Sequence, residues 1–141
     1  MEAANKTRIT VQTIVNAPLP AVWDYWTKPE HITQWNAASE DWHTPWAEND
    51  LRAGGKFRAR MEAKDGSFGF DFEGTYTDVQ ENRYLEYNIA DGRQVQVSFS
   101  SQGDTTLVVE TFEAEDTHSV EMQQEGWQAI MDNFRKYAES R

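Results

Sequence analysis

The chain of 141 residues contains no cysteine, which excludes disulfides, thiolate zinc sites, iron–sulfur clusters and a secreted disulfide framework. No apolar run approaches the roughly 18 residues of a membrane helix, and Met1–Thr10 is too polar for a signal peptide. A cytoplasmic domain with no membrane partner is therefore expected. Cations are scarce: 13 Lys and Arg stand against 24 Asp and Glu, for a formal net charge of −11. From Gln94 to Phe134 there is no Lys or Arg, while Asp104, Glu110, Glu113, Glu115, Asp116, Glu121, Glu125 and Asp132 all fall there. Such a surface repels phosphate, so nucleic acid and anionic membranes are not expected as partners. The acidic excess reads first as a device for solubility. Catalytic and cofactor motifs are missing too. There is no P-loop and no G-x-G-x-x-G, and His31, His43 and His118 show neither H-x-x-x-H nor H-E-x-x-H spacing. No metal or cofactor is expected. Ser67, in Gly66-Ser67-Phe68-Gly69, follows a turn and is not a G-x-S-x-G nucleophile.

Aromatic residues are plentiful. Six Trp, seven Phe and five Tyr provide bulky core material and argue against disorder. Arg8–Val15 alternates through Ile9, Val11, Thr13 and Val15 and reads as a strand. Asn16-Ala17-Pro18 stops it and opens a helix whose Leu19, Val22, Trp23 and Trp26 share one face. Lys28-Pro29 ends that helix and starts a short second one, with Ile32 and Trp35 inward. Residues 36–54 follow neither period yet hold Trp42 and Trp46, so they read as an ordered flap over the domain.

From Gly55 onward the pattern is antiparallel β. A two-residue loop at Asp65-Gly66 sets Arg60 opposite Asp71, Arg58 opposite Glu73, Met61 opposite Phe70 and Ala59 opposite Phe72. The charged pairs belong on the face away from the C-terminal helix. A three-residue loop, Ala90-Asp91-Gly92, brings Leu85, Tyr87 and Ile89 to face Val95, Val97 and Phe99, with Gly92 left-handed. A turn at Gln102-Gly103-Asp104 leads to Thr105–Phe112, where Leu107 and Val109 match the inner face and Phe112 breaks the phase. A long helix closes the chain, with Trp127, Ile130, Met131, Phe134, Tyr137 and Ala138 on one stripe. Gly126 beside Trp127 suggests a close backbone approach to the sheet.

The order of these elements, with the residues they carry, resembles the START-like (Bet v 1-like, SRPBCC) superfamily, in the branch named after the activator of the heat-shock-90 ATPase. The matching residues are Ala17-Pro18 with Val22-Trp23 and Trp26, then Pro29-Glu30-His31-Ile32 with Trp35. Gly54-Gly55-Lys56-Phe57, Met61, Asp65-Gly66 and Gly74 follow. Thr111-Phe112-Glu113 and Gly126-Trp127 with Asp132-Asn133-Phe134 complete the set. The resemblance runs from Arg8 to Tyr137. It implies an α+β helix-grip fold: a curved antiparallel sheet of about six strands around a long C-terminal helix, with two short helices after the first strand. A single domain of residues 1–141 is expected, with its core at 8–138 and its flap at 36–54.

The resemblance also implies a cavity between sheet and helix for an apolar or aromatic small molecule. Candidate lining residues are Trp26, Trp35, Trp42, His43, Trp46, Phe57, Met61, Phe70, Phe72, Tyr76, Tyr87, Gln123, Trp127 and Met131. Trp35, Trp42 and Trp46 are expected at the mouth, with His43 the imidazole within reach of a bound molecule. Three functions are open: non-catalytic binding of a small molecule, a co-chaperone-like module with a chaperone partner and a part in stress response, or an enzyme of polyketide cyclase/aromatase type. In the last, His43 or a tyrosine is the acid–base group, and Asp41 orients His43. Without a strong catalytic constellation, no catalytic residue is assigned and binding leads. A monomer or weak homodimer is expected.

Overall fold

A computed structural model describes residues 7–141. The start of the polar segment Met1–Thr10 discussed above therefore lies outside the described residues. The elements run β1 (Arg8–Val15), α1 (Leu19–Thr27), α2 (Pro29–Trp35), β2 (Trp42–His43), β3 (Ala47–Asn49) and β4 (Lys56–Ala63). They continue with β5 (Gly69–Gln80), β6 (Tyr84–Ile89), β7 (Gln94–Gln102), β8 (Thr105–Glu113) and α3 (Val120–Glu139). The strands form one curled antiparallel sheet in the order β1-β8-β7-β6-β5-β4-β2, with β3 also on β4. This is the expected helix-grip arrangement. No helix among the described residues is long and apolar enough to cross a membrane.

Proline governs the helical corner. Pro18 caps α1 in an extended conformation, and Lys28, at φ −83° and ψ 131°, ends α1 and caps α2. The ring of Pro29 disfavours the helical region for Lys28, so a single residue suffices to break the two helices apart. The buried stripe of α1, Val22, Trp23 and Trp26, then lies against β7, with the Trp23 and Phe99 ring centroids 5.2 Å apart. Trp26, Trp35 and Phe134 close a three-ring cluster joining α1, α2 and α3, with centroids 4.8–5.0 Å apart. His31 on α2 is half-buried. Its Nδ1 meets the Tyr137 hydroxyl and its ring packs edge-on against Tyr25.

The β4–β5 register is the one the turn chemistry predicts. Arg60 lies across from Asp71, Arg58 from Glu73, Met61 from Phe70 and Ala59 from Phe72. Gly66 takes φ +78° at the turn, where a side chain is strained. The Arg60 guanidinium reaches Asp71 at 3.1 Å, whereas Arg58 turns diagonally to Asp71 at 3.8 Å and to Glu48 at 3.4 Å. In the next hairpin Ala90-Asp91-Gly92 is the loop and Gly92 has φ +94°, with Leu85 opposite Val97 and Tyr87 opposite Val95. A register shift between Tyr76 and Asp78 marks a bulge in β5, which bends the strand and raises the local twist.

Two expectations are corrected. The first concerns β8. Gln102 pairs with Thr105, so the loop is the two residues Gly103-Asp104, with Gly103 at φ +76°. This moves the strand by one residue relative to a three-residue loop and exchanges its faces. Thr106, Val108, Glu110 and Phe112 point inward and are buried, while Leu107 and Val109 lie on the outer face. Phe112 is in phase after all; the inward carboxyl of Glu110 disguised the alternation. The second concerns residues 36–54, which add to the sheet rather than lie over it. Trp42 pairs with Ala63, His43 with Glu62, and Ala47, Glu48 and Asn49 with Ala59, Arg58 and Phe57.

Candidate functional site

Between the curled sheet and α3 lies a mostly apolar cavity of about 290 Å³. The inward sets of successive strands build it: Phe57, Ala59 and Met61 from β4, Phe70, Phe72 and Tyr76 from β5, and Leu85 and Tyr87 from β6. The helices contribute Trp26, Ile32, Trp35, Trp127 and Ile130, and the segment after α2 contributes Asn36, Ala47, Glu48 and Asn49. Arg58, Arg93 and Glu110 complete the lining. Phe57 is held in place by a glycine. A Cβ on its partner Gly74 would lie 2.8 Å from the Phe57 ring and 2.5 Å from the Asn88 carbonyl oxygen. Trp127 is fixed by stacking on Phe112, with centroids 3.8 Å apart and planes 11° from parallel.

Of the candidate lining residues, Trp26, Trp35, Phe57, Met61, Phe70, Phe72, Tyr76, Tyr87 and Trp127 meet at this cavity. Trp42, His43, Trp46, Gln123 and Met131 do not. Cross-strand partners share a face, so the pairing of His43 with Glu62 carries it to the outer side, where the imidazole Nε2 stands 3.6 Å from the Glu62 carboxylate. Its neighbour is thus Glu62, not Asp41. Trp46 lies outside under the Arg58 guanidinium, 5.6 Å from its carbon, and Trp42 packs on Phe68 and Phe70 at the hairpin tip. Gln123 is spent on the backbone before α3: its amide donates to the Glu115 and His118 carbonyls and accepts from the Glu115 N–H. Met131 is fully buried among core side chains.

Polar groups in the cavity are few and unequal. The Tyr76 hydroxyl donates to Asn49 Oδ1 at 2.7 Å, and Asn49 Nδ2 donates to the Thr27 carbonyl at 2.6 Å, so that chain is satisfied. The Tyr87 hydroxyl has no hydrogen-bond partner among the described residues, and burial pushes its pKa well above the ordinary value. Glu110 is 6% exposed and likewise has no hydrogen-bonded partner among the described residues. Burial raises its pKa to about 8. In the sequence Glu110 is one of many acids, and only the broken alternation before Phe112 marks it. Leu85, Ile130, Asn49 and Arg93 also belong to the lining but not to the expected set, because each has neighbours that are known only after folding.

The model of the family described as Activator of Hsp90 ATPase homolog 1-like protein matches residues 16–139. The solution structure of an AHSA1-like protein from Aeromonas hydrophila is 46% identical over 95% of this chain and 93% of its own, with a TM-score of 0.90. Chr148 from Cytophaga hutchinsonii is 50% identical over 94% of this chain and 92% of its own, with a TM-score of 0.82. NE0264 from Nitrosomonas europaea shares the fold at 16% identity, covering 99% of this chain and 97% of its own, with a TM-score of 0.81. No protein of curated function matches the sequence.

Proposed function

The chain belongs to the Activator of Hsp90 ATPase homolog 1-like family, and on that premise we propose that it binds an apolar or aromatic small molecule in the cavity between sheet and α3, without catalysis. The observation that carries this reading is the cavity itself: about 290 Å³, walled by Trp26, Trp35, Phe57, Phe72, Tyr76, Tyr87 and Trp127, with few polar groups. An apolar cavity of roughly 150 Å³ suffices for benzene, so this one suits a ligand of about two fused rings or a short branched chain. Catalysis has little support. His43 lies on the other face of the sheet, and burial raises the Tyr76 and Tyr87 phenols away from the range in which a general acid or base works at neutral pH.

The test is a panel of two-ring aromatic and lipid-like compounds, read by tryptophan fluorescence and thermal shift. Binding is expected in the parent and in Trp42→Ala, whose side chain lies outside the cavity. It is expected to vanish in Ile130→Trp, which fills the cavity from α3, while circular dichroism shows that fold intact. No binding by any compound sinks the reading.

One observation favours a second reading, docking to a chaperone. The β4–β5 hairpin carries an exposed aromatic tip, with Phe68 62% and Phe70 42% exposed beside Trp42. The ATPase rate of a purified Hsp90-type chaperone, measured with the protein and with Phe68→Ser/Phe70→Ser, decides it. Stimulation lost in the double variant supports docking, and an unchanged rate with the parent removes it.

A further inference from the structure

β8 carries two buried acids three residues apart, and the fold treats them differently. The Glu113 carboxylate accepts the Gln94 N–H at 2.7 Å and lies 3.9 Å from the Arg8 guanidinium. Glu110 lines the cavity with no hydrogen-bond donor on its carboxyl among the described residues. Its cross-strand neighbours on the same face are Val11 of β1 and Val97 of β7, which offer nothing polar. From α3 the cavity receives Trp127 and Ile130. The cavity also holds two phenols, Tyr87, whose pKa is raised by burial and then by the Glu110 charge, and Tyr76 beyond it, and one further carboxylate, Glu48, which is paired with Arg58. Both cations of the lining are already engaged. Arg93 donates from Nε to Asp91 at 2.9 Å and from Nη1 to the Glu113 carbonyl, and Arg58 is shared by Glu48 and Asp71.

A buried carboxyl without a cation is costly, and buried charges in proteins are normally paired. Burial has displaced this one toward its neutral form. A bound cation would restore the charge and be held by it. The walls point the same way. Indole, phenol and phenyl rings present negative faces that attract ammonium groups. The net charge of −11 draws cations toward the molecule and disfavours anions.

Resting on the reading of the cavity as a small-molecule site, we propose that its ligand is an organic ammonium ion. An apolar or aromatic amine would set its N–H groups against the Glu110 carboxylate and the Tyr87 hydroxyl, with its carbon frame on the aromatic walls. Ammonium entry is matched by departure of the carboxyl proton to solvent: the ammonium and the neutral carboxyl become an ion pair and one free proton.

Three probes of one shape separate this from its alternatives: 1-naphthylmethylamine, 1-naphthylmethanol and 1-naphthoic acid, titrated at neutral pH by tryptophan fluorescence. The amine is expected to bind about tenfold tighter than the alcohol, and the acid weakest of the three. In Glu110→Gln, amine and alcohol should bind alike. Alcohol or acid binding as tightly as the amine to the parent protein overturns the proposal and leaves the cavity reading standing. Binding by none of the three overturns both. The ranking on the parent protein decides the matter even if Glu110→Gln does not fold.

Discussion

Two glycines show opposite consequences of a missing side chain. At Gly74 an added Cβ would collide with the Asn88 carbonyl and the Phe57 ring, and the backbone contact cannot yield. Gly74→Ala is therefore expected to cost about 1–3 kcal/mol and to displace Phe57 from the cavity wall. At Gly126 a Cβ meets nothing within 4 Å, so the expected close approach of α3 to the sheet at this point is absent. Inside a helix, Gly126→Ala should stabilise by about 0.5–1 kcal/mol. Urea midpoints moving in opposite directions check the pair. Glu110 supplies a second prediction at this scale. Its pKa rises from the ordinary 4.5 to about 8 on folding, so within that window the folded protein retains a proton that the unfolded chain releases. Stability should fall as pH rises, by at most about 1.4 kcal/mol per unit, and the loss should be complete above the folded value. Glu110→Gln should remove this slope. Denaturation of parent and variant at pH 5, 7 and 9 measures the difference, and parallel profiles would assign the slope to other groups.

At the scale of elements, α3 is gripped by few but large contacts. Ser119 caps it by accepting the Met122 N–H, and Met131, Phe134 and Ala138 are its buried stripe. Trp127 stands at the far end of that stripe, half-buried, stacked on Phe112 and edge-on to Phe72. Trp127→Ala should cost about 3 kcal/mol, the lower end for loss of a large aromatic, because part of the indole is already solvated. It should also enlarge the cavity toward β8. A urea midpoint that does not move would show that the stacking contributes nothing. The β2 and β3 segments are short and cover the β4 edge, which limits its use as a template for pairing between molecules.

The whole molecule carries an acidic excess and, between sheet and α3, a half-open apolar cavity. With a formal charge of −11 and no Lys or Arg between Gln94 and Phe134, no phosphate-tracking surface exists on β8 or on the first part of α3. The protein should pass through a DNA column unretained at about 0.15 M salt, and retention would require a basic patch elsewhere. The curl of the sheet decides where the space lies: α3 packs closely on β1, and the cavity lies between α3's Trp127 and Ile130 and the inward side chains of β4 to β6.

What the sequence determined by itself is local. Alternation, the Asp65-Gly66 and Ala90-Asp91-Gly92 turns and the helical stripes specified nine elements and two hairpin registers, because periodicity and turn chemistry act over a few residues. The aromatic part of the lining was legible for the same reason: Phe57, Phe72, Tyr76, Tyr87 and Trp127 sit on faces that their own strands and helix define. Only the tertiary structure decided the rest. Whether a turn holds two residues or three at Gly103 set which way all of β8 faces, and with it the burial of Glu110. The pairing of residues 42–49 with β4 carried His43 and Trp46 outside, since cross-strand pairing, not the segment's own sequence, assigns a short edge strand its face. A buried carboxyl at an aromatic cavity is a property of several elements meeting, and no local pattern encodes it.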